Sequence, residues 1–289
     1  MIIVTYTLLV LAICAVWLPS IPISAQRNLP PWLILFLGSV ACGIVAGVIT
    51  LIGLGSLAGF ALVTWLATRV GTARWHSVVL GLLTLVVALA LATHRLPGFH
   101  NPVLLADVKF AFDSAPFTLY ANFDKAAVGL LLLALCCRRV SSRAELAETM
   151  RKMVPIGAAT IAVVVGMSLM MHFARFDLKF PESALTFIVV NLFFTVIAEE
   201  AFFRGFIQER LYSAFKSPRW NNVLAVSVSA LLFGLAHIGG GLRYTLLATV
   251  AGLGYALVYH RSRRIEGAIA AHYLLNIAHF LVLSYPYLQ

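Results

Sequence analysis

The chain has 289 residues, of which 61% are hydrophobic and only 11% charged, with a mean hydropathy of +0.95. A soluble protein of this size does not carry repeated apolar runs of membrane-spanning length, so the composition excludes a soluble globular fold and points to a polytopic membrane protein. The net charge of +10 would suggest nucleic acid in a soluble protein. Here the basic residues stand in short clusters between apolar runs and read as topology signals, so no nucleic-acid partner is expected.

At roughly 20 apolar residues per crossing, spans are predicted near residues 3–20, 32–52, 54–68, 76–93, 118–137, 153–172, 184–207, 221–238, 243–259 and 267–283. The N-terminal stretch "MIIVTYTLLVLAICAVWLPSIPISAQR" has no basic region ahead of its apolar run. Despite the cleavage-site-like pair Ser24 and Ala25, it is read as a retained first span. Trp32 to Thr68 is too long for one crossing at ~1.5 Å rise per residue, and Gly53 and Gly55 offer a break, as two short spans or as one span plus a re-entrant piece. The fold class is therefore all-α, a polytopic transmembrane helical bundle with about eight to ten spans. No repeat or soluble domain is visible. The chain is divided into an N-terminal transmembrane region, 1–152, of unassigned role and a C-terminal helical bundle, 153–289.

The basic clusters Arg69/Arg74, "CRRVSSRAELAETMRK" (Cys137–Lys152), Lys216/Arg219 and "RSRR" (Arg261–Arg264) are each separated by two spans. All four fall on one face, predicted to be cytoplasmic. The loops around Asp107–Asp113, Asp177–Glu182 and Gly239–Gly241 are then expected outside. The four cysteines, Cys14, Cys42, Cys136 and Cys137, lie in apolar segments without a metal-type or disulfide-type spacing and are read as inert thiols.

Against this apolar background the stretch "VIAEEAFFRGF" (Val196–Phe206) places two carboxylates and a guanidinium inside a span. Residues four apart share a helix face, so Glu200 and Arg204 are predicted to pair, while Glu199, rotated by about 100°, has no cation on its own helix. Ionised groups in hydrocarbon face a bundle interior or a wet cavity. Complementary polar residues occur downstream: Phe233 and His237 are four apart in "LLFGLAHIGG", and His272 and Asn276 are four apart in "AAHYLLNIAH". A carboxylate, two imidazoles and a carboxamide on three helices form a sufficient kit for activating water and holding an oxyanion. The same groups would also serve ion or solute transport, and both readings fit the residues. His279 receives no role. His76, His94, His100, His172 and His260 lie near span ends or in loops and are read as interfacial.

The order EExxxR, FxxxH, HxxxN on successive C-terminal helices, over about Ser183 to Leu283, resembles the CPBP family of intramembrane proteases, named for CAAX proteases and bacteriocin-processing enzymes and also called Abi. The resemblance implies that Glu199 is the general base activating the hydrolytic water and that His237 assists it. It further implies that His272 and Asn276 stabilise the oxyanion and that Glu200 with Arg204 is a supporting pair, beside Phe233. The implied activity is that of an endopeptidase acting on a membrane-associated protein or peptide, as in CAAX-type, leader or C-terminal sorting-tail processing. The expected setting is the lipid bilayer of a bacterial inner membrane, where the chain is multi-pass. No metal is favoured, because the spacing lacks HExxH. Were zinc present, Glu199, His237 and His272 would be its ligands. The alternatives are a carrier or proton-coupled transporter using the same groups, although the inverted repeats of many carriers are not visible, and a non-catalytic immunity or scaffold protein. Oligomeric state cannot be read from the sequence.

One geometric conflict accompanies this reading. From the cytoplasmic face Glu199 is about 8 residues deep, ~12 Å, whereas His237 is about 16 residues deep, ~24 Å. The expected resolution is that Gly205–Trp220, with amphipathic spacing in "GFIQERLYSAF", is a partly embedded helical hairpin.

Overall fold

The computed structural model describes residues 1–24, 27–69, 74–214 and 218–289. Ala25, of the cleavage-like pair, and Lys216, of the third basic cluster, lie outside the described residues, as does Phe215 at the end of the amphipathic stretch. Among the described residues there are ten helices: α1 (Ile2–Cys14), α2 (Pro31–Val45), α3 (Leu51–Arg69), α4 (Arg74–Ala92), α5 (Phe123–Leu135), α6 (Arg143–Met170), α7 (Ala184–Tyr212), α8 (Pro218–Leu235), α9 (Gly241–Ser262) and α10 (Ile265–Val282). Six stretches, at α3, α4, α6, α7, α9 and α10, are long and apolar enough to cross a membrane. Three shorter apolar helices accompany them at Ile2–Trp17, Pro31–Val45 and Asn222–Leu235. The predicted all-α membrane bundle is thus the fold, and the chain is a multi-pass membrane protein.

The long apolar run Trp32–Thr68 divides into α2 and α3, but not at the glycines singled out from sequence. Gly53 and Gly55 lie inside α3, and the break falls at residues 46–50, where Gly47 takes φ +72°, a left-handed turn open to glycine at no steric cost. Two short hairpins, β1 (Ile21–Ser24) with β2 (Arg27–Leu29) and β3 (Val103–Val108) with β4 (Phe117–Tyr120), were not anticipated. They are too brief to alter the class.

The chain forms two compact units. The first comprises Met1–Pro102, Tyr120–Cys137 and Phe193–Ala198, the second Val103–Leu119, Arg138–Leu192 and Glu199–Gln289. The sequence-based boundary at 152/153 lies within α6, whose N-terminal turn is capped by Ser142 accepting from the Glu145 backbone N–H. In the first unit the core is aliphatic and aromatic, with Leu9, Ile13, Phe60, Leu91, Phe123 and Leu130 fully buried. Its one deeply buried acid, Asp124, sits at the start of α5 and is held by the His94 ring at 2.7 Å and the Asn101 amide at 3.0 Å. Asn101 in turn accepts from the Phe123 backbone N–H at 2.8 Å, so the turn after α4 is tied to the start of α5. A buried carboxylate is tolerated because each of its oxygens finds a donor.

In the second unit α6, α9 and α10 pack together, and α8 packs against α9. At one end of this unit Glu209 receives Arg263 through both carboxylate oxygens and Arg138 at 3.0 Å, while Glu145 pairs with Arg264. Residues of the clusters Cys137–Lys152 and Arg261–Arg264 therefore meet at one end. At other helix ends Phe187 and Phe280 stack with centroids 3.9 Å apart, with Phe110, Phe117 and Tyr285 against them.

Candidate functional site

The site grows from α7. This helix is α-helical at Ala184–Val190, widens to π-helical turns over Asn191–Val196, returns to α-helix for Ile197–Glu200 and widens again over Ala201–Gln208. Both glutamates thus sit on the single regular turn between two widened ones. A π turn leaves backbone carbonyls without their ordinary partners and is frequent where function requires a particular side-chain aim. One such carbonyl, that of Phe203, is taken up by the Ser229 hydroxyl of α8 at 3.1 Å.

Glu200 and Arg204 are fully buried and paired as expected, with Nη1 donating to Oε1 at 3.0 Å. The guanidinium also donates through Nη2 to the Gly252 carbonyl of α9 at 2.8 Å. Its carbon lies 4.7 Å from the centroid of Phe233 and 5.4 Å from that of Tyr255. An arginine is tolerated here because its charge is neutralised, Nη1 and Nη2 each have an acceptor, and aromatic rings lie against the guanidinium.

His272, on α10, joins this pair. Its Nδ1 lies 2.8 Å from Glu200 Oε1 and its Nε2 lies 3.9 Å from Glu199 Oε2. A carboxylate only accepts, so Nδ1 carries the hydrogen and Nε2 is the atom turned to Glu199. The ring is fixed by Tyr255, stacked at 4.5 Å and 13°, and by Phe233, edge-on at 5.4 Å. Glu200 is therefore shared between Arg204 and His272, a link the sequence reading did not contain. Glu199, with 15% of its side chain exposed against 0% for Glu200, is the more accessible carboxylate of the two.

His237 lies two residues beyond the end of α8, its Nδ1 donating to the Phe233 carbonyl at 2.7 Å. That bond leaves Nε2 with its lone pair. The ring lies 4.7 Å from Phe233 and meets Tyr244 of α9 edge-on at 5.2 Å, while Tyr244 stacks on Phe173 at 5.8 Å. Phe233 thus touches both imidazoles, from His272 on one side to His237 on the other. Asn276, one turn beyond His272, donates from Nδ2 to Asn191 Oδ1 at 3.2 Å. One amide hydrogen of Asn276 is thereby used and the second is left over.

The depth conflict narrows because α7 does not stop near residue 207. It continues to Tyr212, with helical backbone to Ala214, and α8 begins at Pro218, so helix stands on both sides of residues 215–217. Glu199 then lies about 13 residues, roughly 20 Å, from Tyr212, and His237 about 19 residues, roughly 28 Å, from Pro218.

Sequence reasoning missed Asn191, Gly252, Tyr244 and Tyr255. Asn191 had a visible signal, a lone carboxamide opening an apolar stretch. Gly252 contributes only a backbone carbonyl, and the tyrosines belong to a helix with no charged residue between Tyr244 and Tyr259, so nothing in their spacing marked them. Among the described residues no group of three or more His, Cys, Asp or Glu side chains that could hold a metal ion is found.

Fold and site together define a multi-pass helical membrane protein with a buried carboxylate–guanidinium–imidazole cluster on its last helices. Residues 181–278, which contain every one of the motif residues, match the family model described as type II CAAX prenyl endopeptidase Rce1-like. The chain is also 34% identical over 89 residues to "Putative membrane peptidase YdiL" of Bacillus subtilis (strain 168), a stretch that is 31% of this chain and 34% of that relative. The match therefore spans about a third of the relative's length. No solved structure matches. Over residues 181–278 the chain is similar to the Rce1-like endopeptidases, which supports the resemblance to the CPBP family carried by the motifs.

Proposed function

We propose that the protein is a membrane-embedded endopeptidase of the CAAX-processing type, in which Glu199 activates water against a peptide bond of a membrane-associated protein or peptide. The observation that carries the reading is the His272 ring set between the two glutamates, 2.8 Å from one and 3.9 Å from the other. The family match over the same residues supports it. A buried carboxylate committed to Arg204 is a poor base. The neighbouring Glu199 is partly exposed and stands beside an oriented imidazole, an arrangement suited to general-base catalysis.

In this mechanism a water oxygen bonds to the scissile carbonyl carbon while Glu199 takes one of its protons. His237, through the lone pair of Nε2, accepts a hydrogen bond from the same water and orients it. The tetrahedral oxyanion is held by the remaining N–H of Asn276 and by Nε2–H of His272 in its doubly protonated form, whose Nδ1–H rests on Glu200. Collapse breaks the C–N bond as the proton held by Glu199 passes to the departing amine. Glu200 and Arg204 do not touch the reacting atoms. They fix the tautomer and tilt of His272. Water activation by Glu199 without a metal is part of the proposal, as are a CAAX-type, leader or sorting-tail substrate and a bacterial inner-membrane setting.

The test uses purified protein in detergent with a membrane-anchored precursor peptide, comparing wild type, Glu199→Gln and His237→Ala, each with and without chelator. Cleavage by wild type, unaffected by chelator and reduced by at least 10²–10⁴ in Glu199→Gln, is the expected result. Chelator-sensitive cleavage would reassign Glu199, His237 and His272 as metal ligands. Equal rates for Glu199→Gln and wild type would end the assignment of Glu199, and transport of a solute without cleavage of any peptide would end the protease reading.

A further inference from the structure

The segment between α6 and α7 carries an alternation that is inside out for a loop in water. Along Arg175–Phe180 the apolar residues Phe176, Leu178 and Phe180 are 64%, 73% and 77% exposed, while the charged residues between them turn inward to partners. Arg175 donates from Nε and Nη2 to the two oxygens of Asp113 at 2.7 and 3.0 Å. Lys179 donates to the Asp177 carboxylate at 3.2 Å and to the Leu283 carbonyl. The backbone is extended and bonded on the same side as the charges: the Asp177 and Lys179 N–H groups donate to the Val282 and Leu281 carbonyls at 2.8 Å each, and Arg175 O accepts from Ser284. The last carbonyls of α10, which a helix end leaves without partners, are satisfied by this strip.

Three observations say what covers the outer face. The strip joins two helices long and apolar enough to span a membrane, and the residues flanking it on those helices, Met170 and Leu185, are themselves 82% and 70% exposed. Phe112, 88% exposed, extends the apolar face from the neighbouring loop, with the Arg175 guanidinium 5.4 Å from its ring. The inward backbone bonds leave little to be hydrated on that side, which is the condition for non-helical backbone to approach hydrocarbon. Four large apolar side chains on a continuous face, facing water, would be an exception among soluble surfaces. At the headgroup boundary they are the ordinary pattern of an interfacial segment, with the arginine reaching back to polar ground.

We infer that Arg175–Phe180, together with Phe112, lies flat in the membrane interface as an extended strip, its phenylalanines and leucine inserted among lipid acyl chains and its charges turned to the protein. This adds a lipid contact to the outside placement expected for the loop around Asp177–Glu182, and it does not rest on the proposed protease activity.

The test places a single environment-sensitive fluorophore at Leu178→Cys in protein whose native Cys14, Cys42, Cys136 and Cys137 are replaced, reconstituted into phosphatidylcholine/phosphatidylglycerol vesicles. Phe176→Cys serves as a second site should one variant fold poorly, and Glu182→Cys as the hydrated reference. The expected result is a blue-shifted emission at 178 and 176, quenched by lipids with a nitroxide near the top of the acyl chain and protected from aqueous iodide, with the reverse at 182. Iodide quenching at 178 equal to that at 182 would overturn the inference. So would protection from both quenchers, since it would put a second copy of the chain or another protein on the strip.

Discussion

At the scale of single residues the site is decided by how two chargeable groups, Arg204 and His272, share one carboxylate. Glu200 serves Arg204 at 3.0 Å and His272 at 2.8 Å, so removing the arginine leaves a buried acid with one partner where it had two. Arg204→Ala is expected to destabilise the protein by about 3–5 kcal/mol, the range for breaking a buried pair from one side. Thermal unfolding in detergent would read the loss, and a variant as stable and active as wild type would contradict the pairing's role. The reason this pair was legible in the sequence is that its geometry is local: four residues of helix bring the two side chains together whatever the rest of the chain does. His272 was legible as a polar residue in a span, but its attachment to Glu200 was not. A contact across 72 positions is set by how α7 and α10 pack. The roles of Tyr255 and the Gly252 carbonyl were invisible for the same reason, since neither residue type is unusual in a helix.

At the scale of elements, the ends of helices outside the spans carry the pH-sensitive contacts. The hydrogen bond from Arg175 holds the Asp113 carboxyl below the usual carboxylate range. A carboxyl whose folded value is depressed contributes stability that is present above its unfolded value, near 3.9, and is lost as pH falls through the folded one. The loops 103–119 and 171–183 are therefore expected to loosen only below about pH 4. Amide exchange of Arg175 and Asp177 should rise there in wild type and already be raised at neutral pH in Asp113→Asn. Exchange insensitive to both changes would remove the pair from the account. The helices themselves were largely readable, because runs of apolar residues of spanning length admit few alternatives in a chain this poor in charge. The break between α2 and α3 was misplaced. A glycine in sequence reads equally as a turn or as a packing position, and only the backbone angle at Gly47 separates the two uses.

For the molecule as a whole, the basic end of the second unit, where Arg138, Arg263 and Arg264 meet Glu209 and Glu145, fixes an expected orientation. With that end cytoplasmic, a membrane-impermeant thiol reagent should modify Glu182→Cys in intact cells and Arg261→Cys only after permeabilisation. The reverse pattern would invert the molecule and place His237, at the far end of α8, on the cytoplasmic side. The widened turns of α7 carry a further implication. Each holds roughly one residue more than a regular helix would need over the same rise, so the residues on either side of Asn191–Val196 keep their relative directions although the interval is longer by one. Deleting one residue there would let the helix relax to its regular winding, at about 100° per residue, with Glu199 and Glu200 still facing His272. The interval thus tolerates a change of length that a regular turn would not. An aligned relative with one residue fewer there would keep the motif both in print and in space.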